Sequence, residues 1–214
     1  MTLGAPDSLM RALRRHVKDE RVLAAMADVP RDRFVPEDLR EEAWENVPLP
    51  IGSGQTISQP LVVARMCEVL ELTGSETVLD VGTGSGYHAA VLARLAAHVY
   101  SIEVHPELSW QAGENLRRAG VTNVTLTIGD GSRGLAQHAP YDAVNVAAAA
   151  GGGIPGALVE QLAPRGRLVA PVETGDDQRL VVARRTDDGM TVTDLERVRF
   201  VPLVRSRGSG GDSA

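Results

Sequence analysis

Thr77-Val78-Leu79-Asp80-Val81-Gly82-Thr83-Gly84-Ser85-Gly86-Tyr87 is the stretch that decides the fold. Apolar residues surround one acidic residue, Asp80, and glycines then take the alternate positions 82, 84 and 86. The pattern reads as a buried parallel strand running into a tight turn and then a helix. A turn without side chains lets a ligand come against the backbone. The spacing is G-x-G-x-G. The dinucleotide fingerprint needs G-x-G-x-x-G/A, and position 87 is Tyr, so NAD and FAD are disfavoured. A P-loop needs Lys and then Ser or Thr after its last glycine, and neither follows here.

Outward from this turn, strands and helices alternate. Strands are expected at 78–81, 99–103, 124–128, 143–147 and 167–172, with helices at 87–96, 106–119 and 155–162 between them. Such alternation predicts an α/β fold: a Rossmann-like, doubly wound, mostly parallel sheet with helices on both faces. Two further strands, 180–185 and 198–203, follow without a helix between them, which predicts an antiparallel ending. Upstream, residues 7–27 carry apolar positions near a 3.6-residue period and read as short amphipathic helices. Residues 31–59 hold Pro36, Pro48, Pro50, Gly52 and Gly54 and read as a long structured loop, a candidate lid or substrate wall. Pro60 suits the first turn of a helix reaching about Leu72. The chain is expected to form one domain over 1–204. Its N-terminal helices and lid loop span 1–59 and its core 60–204, with a flexible Gly/Ser-rich tail at 205–214.

Ligands of such sheets bind outside the carboxyl ends of the strands. The backbone of Gly82, Thr83, Gly84 and Gly86 lines the first strand end. Glu103 ends the second strand, beside Val104, where a carboxylate accepts hydrogen bonds from ribose hydroxyls. Asp130, in Gly129-Asp130-Gly131, ends the third and is placed to take an adenine amino group. Residues 147–153 follow the fourth and are small enough to line a pocket. Asp80 lies inside a buried strand, where a carboxylate is costly unless hydrogen bonded. We expect it to brace the glycine turn by accepting backbone N–H groups and to orient the cationic end of a methionine moiety. Together these positions read as the nucleoside-binding site of a methyltransferase using S-adenosylmethionine.

Composition removes other classes. With 43% apolar and 23% charged residues the chain reads as an ordinary globular protein. No apolar run approaches the ~20 residues that span a bilayer, and no signal-peptide pattern opens the chain, so a cytoplasmic location without membrane partner is expected. A net charge of −6 argues against nucleic acid as a partner. Arg11, Arg14, Arg15 and Lys18 read as a solvated helix face. The only cysteine, Cys67, lies on an apolar helical stripe with Val63, Met66 and Leu70 and reads as core. Histidines at 16, 88, 98, 105 and 138 show no metal spacing, so no metal site is expected. His88 reads as a helix-surface residue.

Two further segments carry a resemblance. Val29-Pro30-Arg31-Asp32-Arg33-Phe34-Val35-Pro36-Glu37 is one, and Pro48-Leu49-Pro50-Ile51-Gly52-Ser53-Gly54-Gln55-Thr56-Ile57-Ser58-Gln59-Pro60 is the other. With the glycine turn, Gly129-Asp130-Gly131, Ala139-Pro140-Tyr141-Asp142-Ala143, Gly166-Arg167-Leu168-Val169 and Val198-Arg199-Phe200-Val201-Pro202-Leu203, they resemble the protein-L-isoaspartate O-methyltransferase family. The likeness covers about residues 20–204, and the Gly-Gln-Thr-Ile-Ser loop is its most specific part.

The resemblance implies a monomeric, S-adenosylmethionine-dependent enzyme. Its substrates would be isoaspartyl-containing proteins and peptides, methylated on the free α-carboxylate so that the ester recyclises to a succinimide. It implies Ser58 as the active-site residue, with Thr56 and Ile57 of the same loop beside the cofactor. A carboxylate with a reference pKa of about 3.3–3.9 needs no general base at neutral pH. Catalysis is then proximity and alignment, with Ser58 orienting the oxygen by a hydrogen bond. Capping of the helix at Pro60 is the alternative role for Thr56 and Ser58. The loop Ala147–Pro155 departs from the family in lacking a proline before Ile154-Pro155 and carrying three glycines. Two other readings stand beside repair: methylation of an ordinary aspartate in a ribosomally made peptide, and a cofactor-binding regulatory protein without turnover.

Overall fold

The computed structural model describes residues 5–204; the tail expected at 205–214 lies outside the described residues. Two short helices come first, α1 (Asp7–Arg14) and α2 (Glu20–Asp28). Their 3.6-residue stripe, Leu9, Leu13, Val22, Leu23 and Met26, is buried. The opposite face, with Arg11, Arg14, Arg15 and Lys18, is exposed as expected. The stretch read as a long loop is more ordered than its prolines suggest. It holds three 3-10 turns, at 31–34, 37–39 and 42–44, and an antiparallel hairpin of β1 (Leu49–Gly52) and β2 (Gln55–Ile57). Helix α3 (Pro60–Val69) follows and buries Val63, Met66 and Cys67.

The sheet contains β3 (Thr77–Val81), β4 (His98–Glu103), β5 (Val124–Ile128), β6 (Tyr141–Val146), β7 (Leu162–Thr174), β8 (Asp177–Thr186) and β9 (Gly189–Val198). Their order is β5-β4-β3-β6-β7-β8-β9. The first five are parallel and the last two pair antiparallel, so the doubly wound plan and its antiparallel ending both hold. Helices α4 (Tyr87–Ala93), α5 (Pro106–Arg118) and α6 (Gly156–Glu160) connect the parallel strands. Strand residues alternate between two apolar layers. Val78, Val99, Ala143 and Val169 join the larger layer with the N-terminal helices, and Leu79, Val81, Ile102 and Val144 join the smaller one. Among the described residues no helix is long and apolar enough to cross a membrane.

The last strand is a correction. It runs over Gly189–Val198, not 198–203. The sequence of β9 conceals it, because Thr191, Val192, Thr193 and Asp194 are all exposed on a sheet edge and no apolar face is written. The apolar run Val198–Leu203 reads as a strand, but the sheet edge is already taken and Pro202 has no N–H to donate. Instead this segment crosses the carboxyl end of the sheet. Ala149 N donates to Val201 O at 2.8 Å and Leu203 N donates to Ala149 O at 2.8 Å.

Candidate active site

Strand order reverses between β3 and β6, and a crevice opens at their carboxyl ends. Gly84 and Gly86 hold φ of +52° and +88° there, in the left-handed region that favours glycine. A carboxylate does brace this turn, but it belongs to Glu103. Its Oε2 accepts from Gly84 N at 2.8 Å and its Oε1 from His105 N at 3.0 Å.

Asp80 sits one layer behind. It shares the face of Val78 that points into the larger core and is fully buried. Its neighbours in register are Ser101 on β4 and Asn145 on β6. Ser101 Oγ donates to Oδ2 at 2.7 Å and Asn145 Nδ2 donates to Oδ1 at 2.7 Å. Burial pushes the Asp80 carboxyl up to about 6 against the pull of these two hydrogen bonds, and the neighbouring Glu103 charge adds to the rise. The network reaches the turn because Thr83 Oγ1 lies 2.6 Å from Ser101 Oγ. Asp80 therefore supports the turn through side chains, and the direct backbone bracing expected of it is replaced.

His88 is not on the surface. It is buried, with Nδ1 3.2 Å from Asn145 Nδ2 and Nε2 3.5 Å from Cys67 Sγ. Burial alone holds its imidazole down, to about 3, so it is neutral at physiological pH.

The Ser58 loop is positioned by Arg31. This guanidinium is fully buried, and Ala43, Val47 and Ser58 give it their carbonyl oxygens, the last two at 3.0 and 3.1 Å. It also lies 5.8 Å from the Tyr87 ring centroid. Burial lowers its pKa to about 10, which leaves it charged. The Ser58 side chain does not cap α3. That service comes from Asn46, whose Oδ1 accepts from Leu61 N at 2.9 Å.

Three adjoining cavities occupy the crevice. The first runs from Gly82, Gly84 and Glu103 past Val104 and Gly131 to Val201–Val204. The second adjoins Ile57, Thr83, Tyr87 and His88. The third is bounded by Pro48, Gln59, Val62 and Arg197–Val201. Ser58 lines the second and third, and Thr56 and Ala147 line all three. Gly131 can be nothing larger, because a Cβ there would stand 2.5 Å from Val81 Cγ1.

Two expected residues are turned elsewhere. Gly86 packs against α5, where a Cβ would meet Ala112 Cβ at 3.2 Å. Asp130 Oδ1 accepts from Ser132 N and Ser132 Oγ, fixing the 3-10 turn that carries Gly131. Arg31, Asn46, Ser101 and Asn145 were missed. Ser101 and Asn145 had a signal: each is a polar residue between apolar or aromatic neighbours inside a strand, as Asp80 is.

The comparison with known proteins bears on this site. The model of the protein-L-isoaspartate(D-aspartate) O-methyltransferase family matches residues 5–208. The chain belongs to the protein-L-isoaspartate O-methyltransferase family. It is 53% identical over 196 residues to protein-L-isoaspartate O-methyltransferase 2 of Marinobacter nauticus, covering 91% of this chain and 89% of that one. The Methanoculleus marisnigri protein-L-isoaspartate O-methyltransferase is 50% identical over 198 residues, with 92% and 90% covered. Among solved structures, a Plasmodium falciparum isoaspartate methyltransferase in complex with S-adenosyl-L-homocysteine superposes with a TM-score of 0.79 at 27% identity, over 92% of this chain and 97% of that one. Another protein-L-isoaspartate O-methyltransferase gives 0.82 at 26% identity, covering 92% of this chain and 65% of its own. As a protein-L-isoaspartate O-methyltransferase, the chain is an S-adenosylmethionine-dependent carboxyl O-methyltransferase.

Proposed function

We propose that methyl transfer to the α-carboxylate of an L-isoaspartyl residue takes place where the three cavities meet, at Thr56 and Ala147. This shared junction is the observation that carries the reading, since donor and acceptor must be brought into line at one point. We assign the first cavity to the adenosine. Gly82 and Gly84 present bare backbone there, and each oxygen of Glu103 keeps lone-pair capacity for a ribose hydroxyl beyond the one N–H it accepts. The second cavity, floored by neutral His88 and bordered by Thr83 and Ile57, takes the methionine end. S-adenosylmethionine, when bound, supplies a methyl group on a cationic sulfur. Asp130 acts here by holding Gly131 at the adenine edge.

The third cavity takes the peptide. Ser58 Oγ donates to the substrate carboxylate and fixes which oxygen faces the junction, and Arg31 fixes Ser58 by its carbonyl. No side chain has to remove a proton, because the acceptor carboxylate is ionised at neutral pH. We place the enzyme in the cytoplasm, acting as a monomer, with damaged proteins as its partners and neither nucleic acid nor membrane.

Two peptides differing only in isoaspartate against aspartate, incubated with labelled S-adenosylmethionine, test the reading. Label is expected on the isoaspartyl peptide. Equal labelling of both, or labelling of the aspartyl peptide alone, overturns it in favour of aspartate methylation.

A further inference from the structure

Arginines around the acceptor cavity are paired, with one exception. Arg197 meets Asp177 at 3.2 Å, Arg65 meets Glu196 at 3.0 Å and Arg179 stands 3.7 Å from Asp194. Arg199 has no hydrogen-bond or ion-pair partner among the described residues, and it is exposed. It lines the same cavity as Ser58. In a chain of net charge −6, a free guanidinium beside the reacting group is conspicuous.

Its backbone is held in place. Gln178 clamps the next residue, accepting from Phe200 N at 2.6 Å and donating to Phe200 O at 3.2 Å. One residue further, Val201 O accepts from Ala149 N at 2.8 Å. The guanidinium is thus presented from a fixed wall. The cavity has a volume of about 380 Å³, within the ~300–1,000 Å³ range of small-ligand pockets. That is room for residues beside the one being methylated.

Resting on the repair reading above, we propose that Arg199 binds a carboxylate of the acceptor peptide other than the reacting one: an acidic side chain near the isoaspartyl residue. Two arguments separate it from the reacting carboxylate. Ser58 is half-buried while Arg199 is exposed, so the cation sits at the rim. A guanidinium on the nucleophile would also occupy the lone pairs that must attack. Arg199 therefore sets context preference, favouring isoaspartyl sites in acidic surroundings and offsetting the repulsion of an acidic enzyme for an acidic peptide.

The test compares two isoaspartyl peptides, one with an acidic flanking residue and one with its neutral amide there, on wild type, Arg199→Ala and Arg199→Lys. For the acidic peptide Arg199→Ala is expected to raise KM about two- to five-fold, the range of an exposed ion pair. Its kcat, its S-adenosylmethionine affinity and its KM for the neutral peptide should not move. Lys should restore much of the loss, and added salt should erase the difference between wild type and Ala. Equal KM increases for both peptides would transfer Arg199 to the reacting carboxylate and overturn the proposal, as would no change for either. Failure of wild type to methylate either isoaspartyl peptide would instead refute the repair reading.

Discussion

Replacing Ser58 and Asn46 separately divides catalysis from helix capping. Ser58 precedes α3 in the chain, and Asn46 meets its first turn across 15 positions. Ser58→Ala removes a hydroxyl that caps nothing and faces two cavities. Its loss costs a hydrogen bond to an ionised carboxylate, worth about 1.5–3 kcal/mol, or roughly 10- to 150-fold in rate. Orientation acts in the transition state, so kcat and kcat/KM should fall together while S-adenosylmethionine affinity holds. The melting temperature should stay within about 2 °C of wild type, as for a change of at most ~0.5 kcal/mol. Asn46→Ala strips the acceptor from Leu61 N. A lost cap costs about 0.5–2 kcal/mol, which lowers the melting temperature of a chain this size by roughly 1–8 °C and spares kcat in the folded fraction. Scanning calorimetry and initial rates on the same preparations read both. Ser58→Ala with full activity and a lowered melting point, or Asn46→Ala with unchanged stability, would refute the assignment.

Asp80 gives a pH signature. Its carboxyl rises from 3.8 to about 6 on folding. A raised folded-state pKa contributes stability that is full below about pH 4 and is lost as pH climbs through 6, on the order of 3 kcal/mol. Asp80→Asn keeps an acceptor for Asn145 and does not ionise, so its melting temperature should gain on wild type between pH 4 and 6 and hold that lead above. A difference that stays constant from pH 4 to 8 would show that Asp80 does not titrate there. Glu103→Ala takes the acceptor from two backbone N–H groups and from the expected ribose. Calorimetric titration should find S-adenosylmethionine bound about 10- to 150-fold more weakly, and unchanged affinity in a folded variant would take Glu103 out of the site.

The parallel core was legible because its inner strands, β3, β4 and β6, are buried on both faces and written as apolar runs broken by glycine and proline. The edge was not. β9 shows solvent every residue over 191–194, so no periodicity betrays it. The site divides in the same way. Residues that touch the crevice through loops, such as Gly82, Glu103 and Ser58, sit in local patterns that can be read. Residues that act through pairing depend on register. Nothing near Asp80 in the chain announces that Ser101 and Asn145 stand beside it, and Arg31 meets Ser58 across 27 positions. His88 was misplaced because polarity argued for the surface, while Cys67 and Asn145 supply the partners that let it be buried.

Arg31 has a consequence for how this wall of the crevice opens. One guanidinium holds carbonyls at 43, 47 and 58, and it has no carboxylate to fall back on among the described residues. Releasing any one of the three exposes part of a charge that the other two cannot neutralise, and freeing all of them strands it in the core. The stretch from 43 to 58 is thereby made into a single foldon. Its amides should exchange with solvent at a common rate, so that the hairpin and the Ser58 loop come away from the crevice as one body and return as one.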